Sequence, residues 1–254
     1  MTSTRRLKNI LRGVIAAVFW ITVWALCARA VGKELILPGP FRVARTLVSL
    51  AGTETFWKSI LTTFLRILTG YAAGVALASV LAVLTFSNKA ADALLSPVIR
   101  IVRATPVASF IILLLLWVGR KNVPVIISML MVMPVVWENL VRAAAAVDVK
   151  LLEMGKAYAF GRMGLFRHIY LPSVLPALEA GCLTAMGLAW KSGIAAEVLS
   201  QPKLAIGTSI YNSKVYLETP ELFAWTLTVI VLSILIEFLI RKLIAFLQKK
   251  EVRL

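Results

Sequence analysis

The chain has 254 residues, 60% of them hydrophobic, and a mean hydropathy of +0.87. Soluble domains hold about 45–50% apolar residues, so one aqueous core cannot hide this much apolar surface, and the bilayer is the expected solvent. The net charge of +16, from 28 basic and 12 acidic residues, would suggest nucleic acid on a soluble protein; on a membrane chain it marks loops that meet anionic lipid, and no nucleic-acid partner is expected.

In chain order, Arg5, Arg6, Lys8 and Arg12 form a charged tail over 1–12, and residues 13–28 then carry no charge. With Ala28-Arg29-Ala30 behind it, this stretch has the outline of a signal peptide. Because more spans follow, a first transmembrane helix over 13–31 is the expected reading. Pro38-Gly39-Pro40 signals a loop and 41–50 an amphipathic helix. A second span covers 60–84, with Arg66 near its start. Its Gly70 and Gly74, four apart, form a small face that lets helices approach closely. After the polar loop 85–104, a third span is expected over 105–118 and, past the turn Gly119-Arg120-Lys121-Asn122, a fourth over 123–141. Pro106, Pro124 and Pro134 suggest broken or kinked helices, which line cavities more often than they face lipid. A basic segment over 142–170 precedes the fifth span, 171–199. A loop over 200–220, a sixth span over 222–240 and a basic tail over 248–254 complete an all-α, six-span chain whose permease domain covers 13–247.

Six spans put both termini on one side. The N-terminal tail, 85–104, 142–170 and residues 241–254 hold seventeen Lys and Arg; 32–59, 119–122 and 200–221 hold eight. That bias places both termini and the 142–170 segment in the cytoplasm.

Chemistry-bearing constellations are sparse. Cys27 and Cys182 sit in apolar segments without metal or redox spacing and read as packing residues. With His168 the one histidine, no metal site is expected. No cofactor is expected, and no Ser-His-Asp cluster suggests catalysis. The chain has no G-x-x-x-x-G-K-[ST] run, so it carries no phosphate cradle for ATP.

The 142–170 segment does not read as a plain connection. It contains Glu153-Met154-Gly155-Lys156-Ala157-Tyr158-Ala159-Phe160-Gly161 and ends in Ile169-Tyr170-Leu171-Pro172. This resembles the cytoplasmic signature of bacterial ABC importer permeases: Glu, two small residues, Gly in seventh place, Ile in seventeenth, then Leu-Pro. Counted from Glu153, Ile169, Leu171 and Pro172 fall in register. Met154-Gly155 stands where that family has Ala-Ala, and Ala159 where it has Gly; Gly161, two residues on, is expected to serve the turn. Leu37-Pro38-Gly39-Pro40, Arg103-Ala104-Thr105-Pro106-Val107-Ala108 and Gly187-Leu188-Ala189-Trp190-Lys191-Ser192 resemble the nitrate/sulfonate/taurine branch. The resemblance implies a type I importer permease fold and, usually, a homodimer of permeases. It also implies two ATPase subunits and an extracytoplasmic binding protein, with a small nitrate-, sulfonate- or taurine-like solute. A vitamin or pyrimidine-type precursor is the alternative within the branch.

A short helix over about 150–159 would project Met154, Tyr158 and Phe160 as an apolar tip, suited to a hydrophobic groove on the ATPase. Glu153 is expected to cap or salt-bridge the loop. The competing reading is a loop helix lying on lipid headgroups.

Lys191 and Glu197 lie inside the fifth span, where a charge costs at least about 2.5–3.5 kcal/mol unless it faces water or a partner. They are the candidate translocation-path residues. About 600° of helical rotation separates them, so they do not pair with each other; Lys191 would meet an anionic solute or a carboxylate on another span. Glu179 and Glu237, near the cytoplasmic ends, are expected to snorkel or pair with basic loops. An ion-driven carrier would show paired inverted repeats and midplane acids; no such repeat is seen.

Overall fold

A computed structural model describes residues 2–251, and the side chains of residues 11–242. The side chains of Arg5, Arg6 and Lys8, and those of the 248–254 tail, lie outside this described part. The elements are helices α1 (Thr2–Val31), α2 (Pro40–Ala51), α3 (Glu54–Ser87), α4 (Lys89–Ala104), α5 (Val107–Trp117), α6 (Val123–Ala145), α7 (Val149–Ala157) and α8 (Arg162–Leu165), a π-helical turn (Phe166–Tyr170), and α9 (Leu171–Ser200), α10 (Ile206–Val215) and α11 (Thr219–Glu251). Described residues include no strand, and the chain is all-α.

Short polar side chains set the helix boundaries. Thr53 accepts from the Phe56 N–H at 3.4 Å and opens α3. Asn88, in extended conformation, closes α3 with its N–H on the Leu84 carbonyl. Its side chain then opens α4 by accepting from the Ala90 N–H at 2.8 Å. Side-chain oxygens at such positions satisfy the donors that a helix start leaves unpaired.

The core is a three-helix stack in which α6 lies between α3 and α9. In lipid, helices gain little from hiding apolar surface and associate by close packing and hydrogen bonds, so small residues decide the contacts. A Cβ on Gly70 would stand 2.2 Å from the Val125 carbonyl oxygen, and one on Gly74 2.8 Å from the Val132 Cβ. On α9, a Cβ on Gly193 would stand 2.6 Å from Ile67 Cγ1 and 2.8 Å from Ser128 Oγ. These three glycines let the backbones converge. Buried polar groups are paired across the helices: Trp137 Nε1 donates to Thr85 Oγ1, Trp190 Nε1 to the Val229 carbonyl, and Tyr71 OH to the Cys182 carbonyl, at 3.2, 3.2 and 3.1 Å.

Five helical stretches are long and apolar enough to cross a bilayer: Leu11–Val31, Glu54–Ser87, Val123–Ala145, Arg162–Ser200 and Thr219–Lys242. The sixth crossing, expected over 105–118, takes a different form. Its helix α5 has 11 residues, about 16 Å of rise, half the roughly 30 Å hydrocarbon thickness. It completes a crossing only with α4, to which it is joined at a 104° bend. The break is local chemistry: a residue before proline is driven to extended backbone, and Thr105 before Pro106 has φ −77° and ψ 132°. Segment 85–104, expected as a loop, is therefore mostly α4, and the 200–220 loop contains α10. Helix α1 reaches the body through Trp24, which donates to the Pro38 carbonyl at 3.1 Å and stacks on Phe223.

Candidate functional site

The segment between α6 and α9 is built around one close approach. Asp148 accepts from the Lys150 N–H at 2.9 Å and starts α7. The helix then seats Gly155 on the next turn of chain. A Cβ there would lie 2.6 Å from Leu165 Cδ2 and 2.7 Å from Ile169 Cδ1, so the signature's second small residue marks where α7 rests on the π-helical turn. Ile169 is buried beneath it.

The C-terminus of α7 closes with two reverse hydrogen bonds, Ala159 N–H to the Lys156 carbonyl and Phe160 N–H to the Gly155 carbonyl, both 2.9 Å. This is the Schellman arrangement, which requires a left-handed residue just past the helix. Ala159 takes that conformation, φ 55°. Gly161, expected to serve the turn, is extended at φ −65° and ψ 173°. The reason is positional: the bond pattern fixes the left-handed place two residues past Ala157, whatever residue stands there.

This closed turn holds Met154, Tyr158 and Phe160 outward, 47%, 74% and 38% exposed. Met163, which the sequence reading passed over, adds an exposed thioether on α8. Phe160 lies against His168, ring centroids 5.5 Å apart, and His168 Nδ1 is 3.0 Å from the Gly164 carbonyl. Leu171 and Pro172 are exposed in the first turn of α9. Glu153 makes neither the cap nor the salt bridge expected of it: no bond to it is found among the described residues, and Asp148 supplies the cap. The reason is again positional: Glu153 is the fifth residue of α7, past the first turn where helix donors lack partners.

The charges of α9 part company. Glu197 is fully buried. Its carboxylate accepts from Thr63 Oγ1 at 3.0 and 2.9 Å, from Arg66 Nη1 at 3.3 Å and from the Gly207 N–H at 3.2 Å. Arg66 also donates to the carbonyls of Lys203 and Leu204, and Thr63 Oγ1 accepts from the Ile206 N–H. Three polar side chains thus clasp α3, α9 and the start of α10. A Cβ on Gly207 would meet Glu197 Cβ at 2.4 Å, so this glycine admits the carboxylate to the α10 backbone. Sequence reasoning placed Glu197 beside Lys191 on the path and missed Arg66 as its partner.

The family described as binding-protein-dependent transport system inner membrane component matches residues 70–251. The chain belongs to this family. It is an importer permease subunit of the ATP-binding cassette type, multi-pass in the inner membrane; such permeases work with ATPase and substrate-binding partners. It is similar to the aliphatic sulfonates transport permease protein SsuC of Escherichia coli, 28% identical over 226 residues, 88% of this chain and 82% of that one. It is also similar to the taurine transport system permease protein TauC of Escherichia coli, 21% identical over 234 residues, with 89% and 84% covered. Its fold matches a crystal structure of an amino acid ABC transporter with histidines at a TM-score of 0.62 and 14% identity, covering 77% of this chain and 93% of that one.

On this permease, Lys191 stands apart from Glu197. It is exposed on α9 and bonds to nothing among the described residues. Thr184, Gly187, Leu188, Ala195 and Leu199 share its open face. Glu237 pairs with Arg241 at 2.6 Å.

Proposed function

We propose that this permease forms, as a homodimer, the path for a small sulfonate-type anion delivered by an extracytoplasmic binding protein. A separate ATPase dimer drives it through the 153–161 segment. The observation that carries the reading is the outward tip of Met154, Tyr158 and Phe160 on a turn held by two reverse hydrogen bonds. A rigid apolar anchor suits a partner's hydrophobic groove, where a few buried side chains supply most of the affinity. The charge bias of the loops supports a cytoplasmic position for this tip and both termini, on the side where ATP is available.

Lys191 supports the solute class. A cation on an outward face of a span is costly in lipid, so it belongs toward a water-filled path or a second copy. The sulfonate and taurine relatives agree with an anionic cargo. Glu197, held by three donors, is structural.

The test is reconstitution of the permease with its ATPase and binding protein in vesicles. ATP-dependent uptake of labelled taurine or ethanesulfonate supports the reading, and uptake that persists without ATP but follows an ion gradient overturns it.

A further inference from the structure

A second charged cluster sits where α4 breaks. Glu138 of α6 is partly buried and held by two arginines from different helices. Arg142, one turn on, donates to Oε1 at 2.5 Å, and Arg103 of α4 binds Oε2. Arg100 lines the same small cavity, about 210 Å³, with Pro134 and Trp137 as apolar wall. Trp137 turns its N–H away to Thr85, so the polar groups facing this space are three guanidiniums and one carboxylate. The excess is two positive charges.

Placement makes the excess informative. Arg103 is one residue before the end of α4, at the 104° bend between α4 and α5, and broken helices at membrane depth line protein or water-filled space. Glu138 lies seven residues before the end of α6, about 10 Å along the helix. Arginines that only snorkel extend toward headgroups; Arg103 and Arg142 instead fold onto one carboxylate. Guanidinium forks match the planar geometry of oxyanions. Glu138 therefore occupies the place of an anion while leaving charge for another.

We propose that Arg100, Arg103 and Arg142 form an oxyanion-binding site at the α4–α6 corner. There the sulfonate or carboxylate of a small solute replaces Glu138 on the arginine forks. Glu138 is the resting counter-ion, and its exchange releases the one ion pair that ties α4 to α6 among the described residues. The inference rests on the importer reading and gives the path a site for monoanions.

The test uses the full-length permease in phosphatidylcholine nanodiscs, titrated with ethanesulfonate and followed by saturation-transfer NMR, with neutral ethyl methyl sulfone as comparator. Saturable binding of the sulfonate alone is expected. Arg103→Gln should weaken it about tenfold or more, Arg103→Lys less, and Glu138→Gln should tighten it by removing the competing carboxylate. A cluster that is only structural gives equal titrations for wild type and Arg103→Gln, or weaker binding in Glu138→Gln, and either result overturns the site. If Arg103→Gln does not fold, Arg103→Lys and Glu138→Gln still give the opposite signs required. Phosphatidylglycerol nanodiscs separate the sources: unchanged sulfonate binding supports a solute site, and its loss assigns the arginines to lipid headgroups and overturns the proposal. No ATPase is present, so failure here leaves the docking reading standing, and loss of docking leaves this binding unchanged.

Discussion

Glu197 of α9 and Arg66 of α3 meet in a buried ion pair, Oε1 to Nη1 3.3 Å, although 131 positions separate them in the chain. Arg66 also donates to the carbonyls of Leu204 and Lys203, at 3.2 Å and 2.9 Å, while its buried Nε has no partner among the described residues. The pair therefore fixes the turn that leads into α10 as well as two spans. Removing one partner of such a pair leaves a buried charge unmet, costing about 3–5 kcal/mol. Arg66→Met should lower the unfolding midpoint in detergent sharply. The double variant Arg66→Met with Glu197→Gln should recover much of it, because the remaining amide keeps its bonds to Thr63 and Gly207. An unchanged midpoint in Arg66→Met would show that the clasp is not structural.

The left-handed alanine gives a stabilising change. A non-glycine residue held at positive φ costs about 1 kcal/mol, and Ala159 has φ 55°. Ala159→Gly should raise stability by about that amount, seen as slower hydrogen exchange at the Phe160 N–H. Gly161→Ala should be neutral, since its backbone is extended and nothing lies within 4 Å of the added Cβ. A stabilisation from neither change, with a loss from Gly161→Ala, would move the turn to Gly161.

Both residues also show where the sequence was legible. Long apolar runs identify the crossings, because the bilayer demands about 20 apolar residues in a row. Gly70 and Gly74 read correctly as a packing face, because close approach needs small residues at that spacing. Three things were hidden for physical reasons. Helix α4 is amphipathic and polar enough to pass for a loop. The left-handed place at 159 holds alanine, which gives no conformational signal. The partner of Glu197 depends on tertiary contact between residues far apart, which no local pattern encodes.

Orientation is open to chemical labelling. On the orientation proposed from the distribution of Lys and Arg, a cysteine at Lys150 should resist an impermeant maleimide in intact cells and react after permeabilisation. One at Lys203 should react in intact cells. The reverse pattern would invert the chain in the membrane.

Lys191 separates transport from folding. It bonds to nothing among the described residues, so Lys191→Met should leave detergent-stable yield unchanged. If Lys191 faces an anionic solute, uptake should fall, and so should the stimulation of ATP hydrolysis by loaded binding protein, while basal hydrolysis persists. Poor yield would instead assign it a structural partner in the assembled dimer.

The most direct test of the account is retention of the ATPase by the permease. Phe160→Asp places a charge on the exposed tip without touching the bonds that close the turn, which run through the Ala159 and Phe160 backbone. A charge forced into an apolar groove costs several kcal/mol, enough to abolish capture. Co-purification of the ATPase with wild type, and its loss with Phe160→Asp at equal permease yield, is the predicted result. Undiminished recovery of the ATPase with the variant would contradict it.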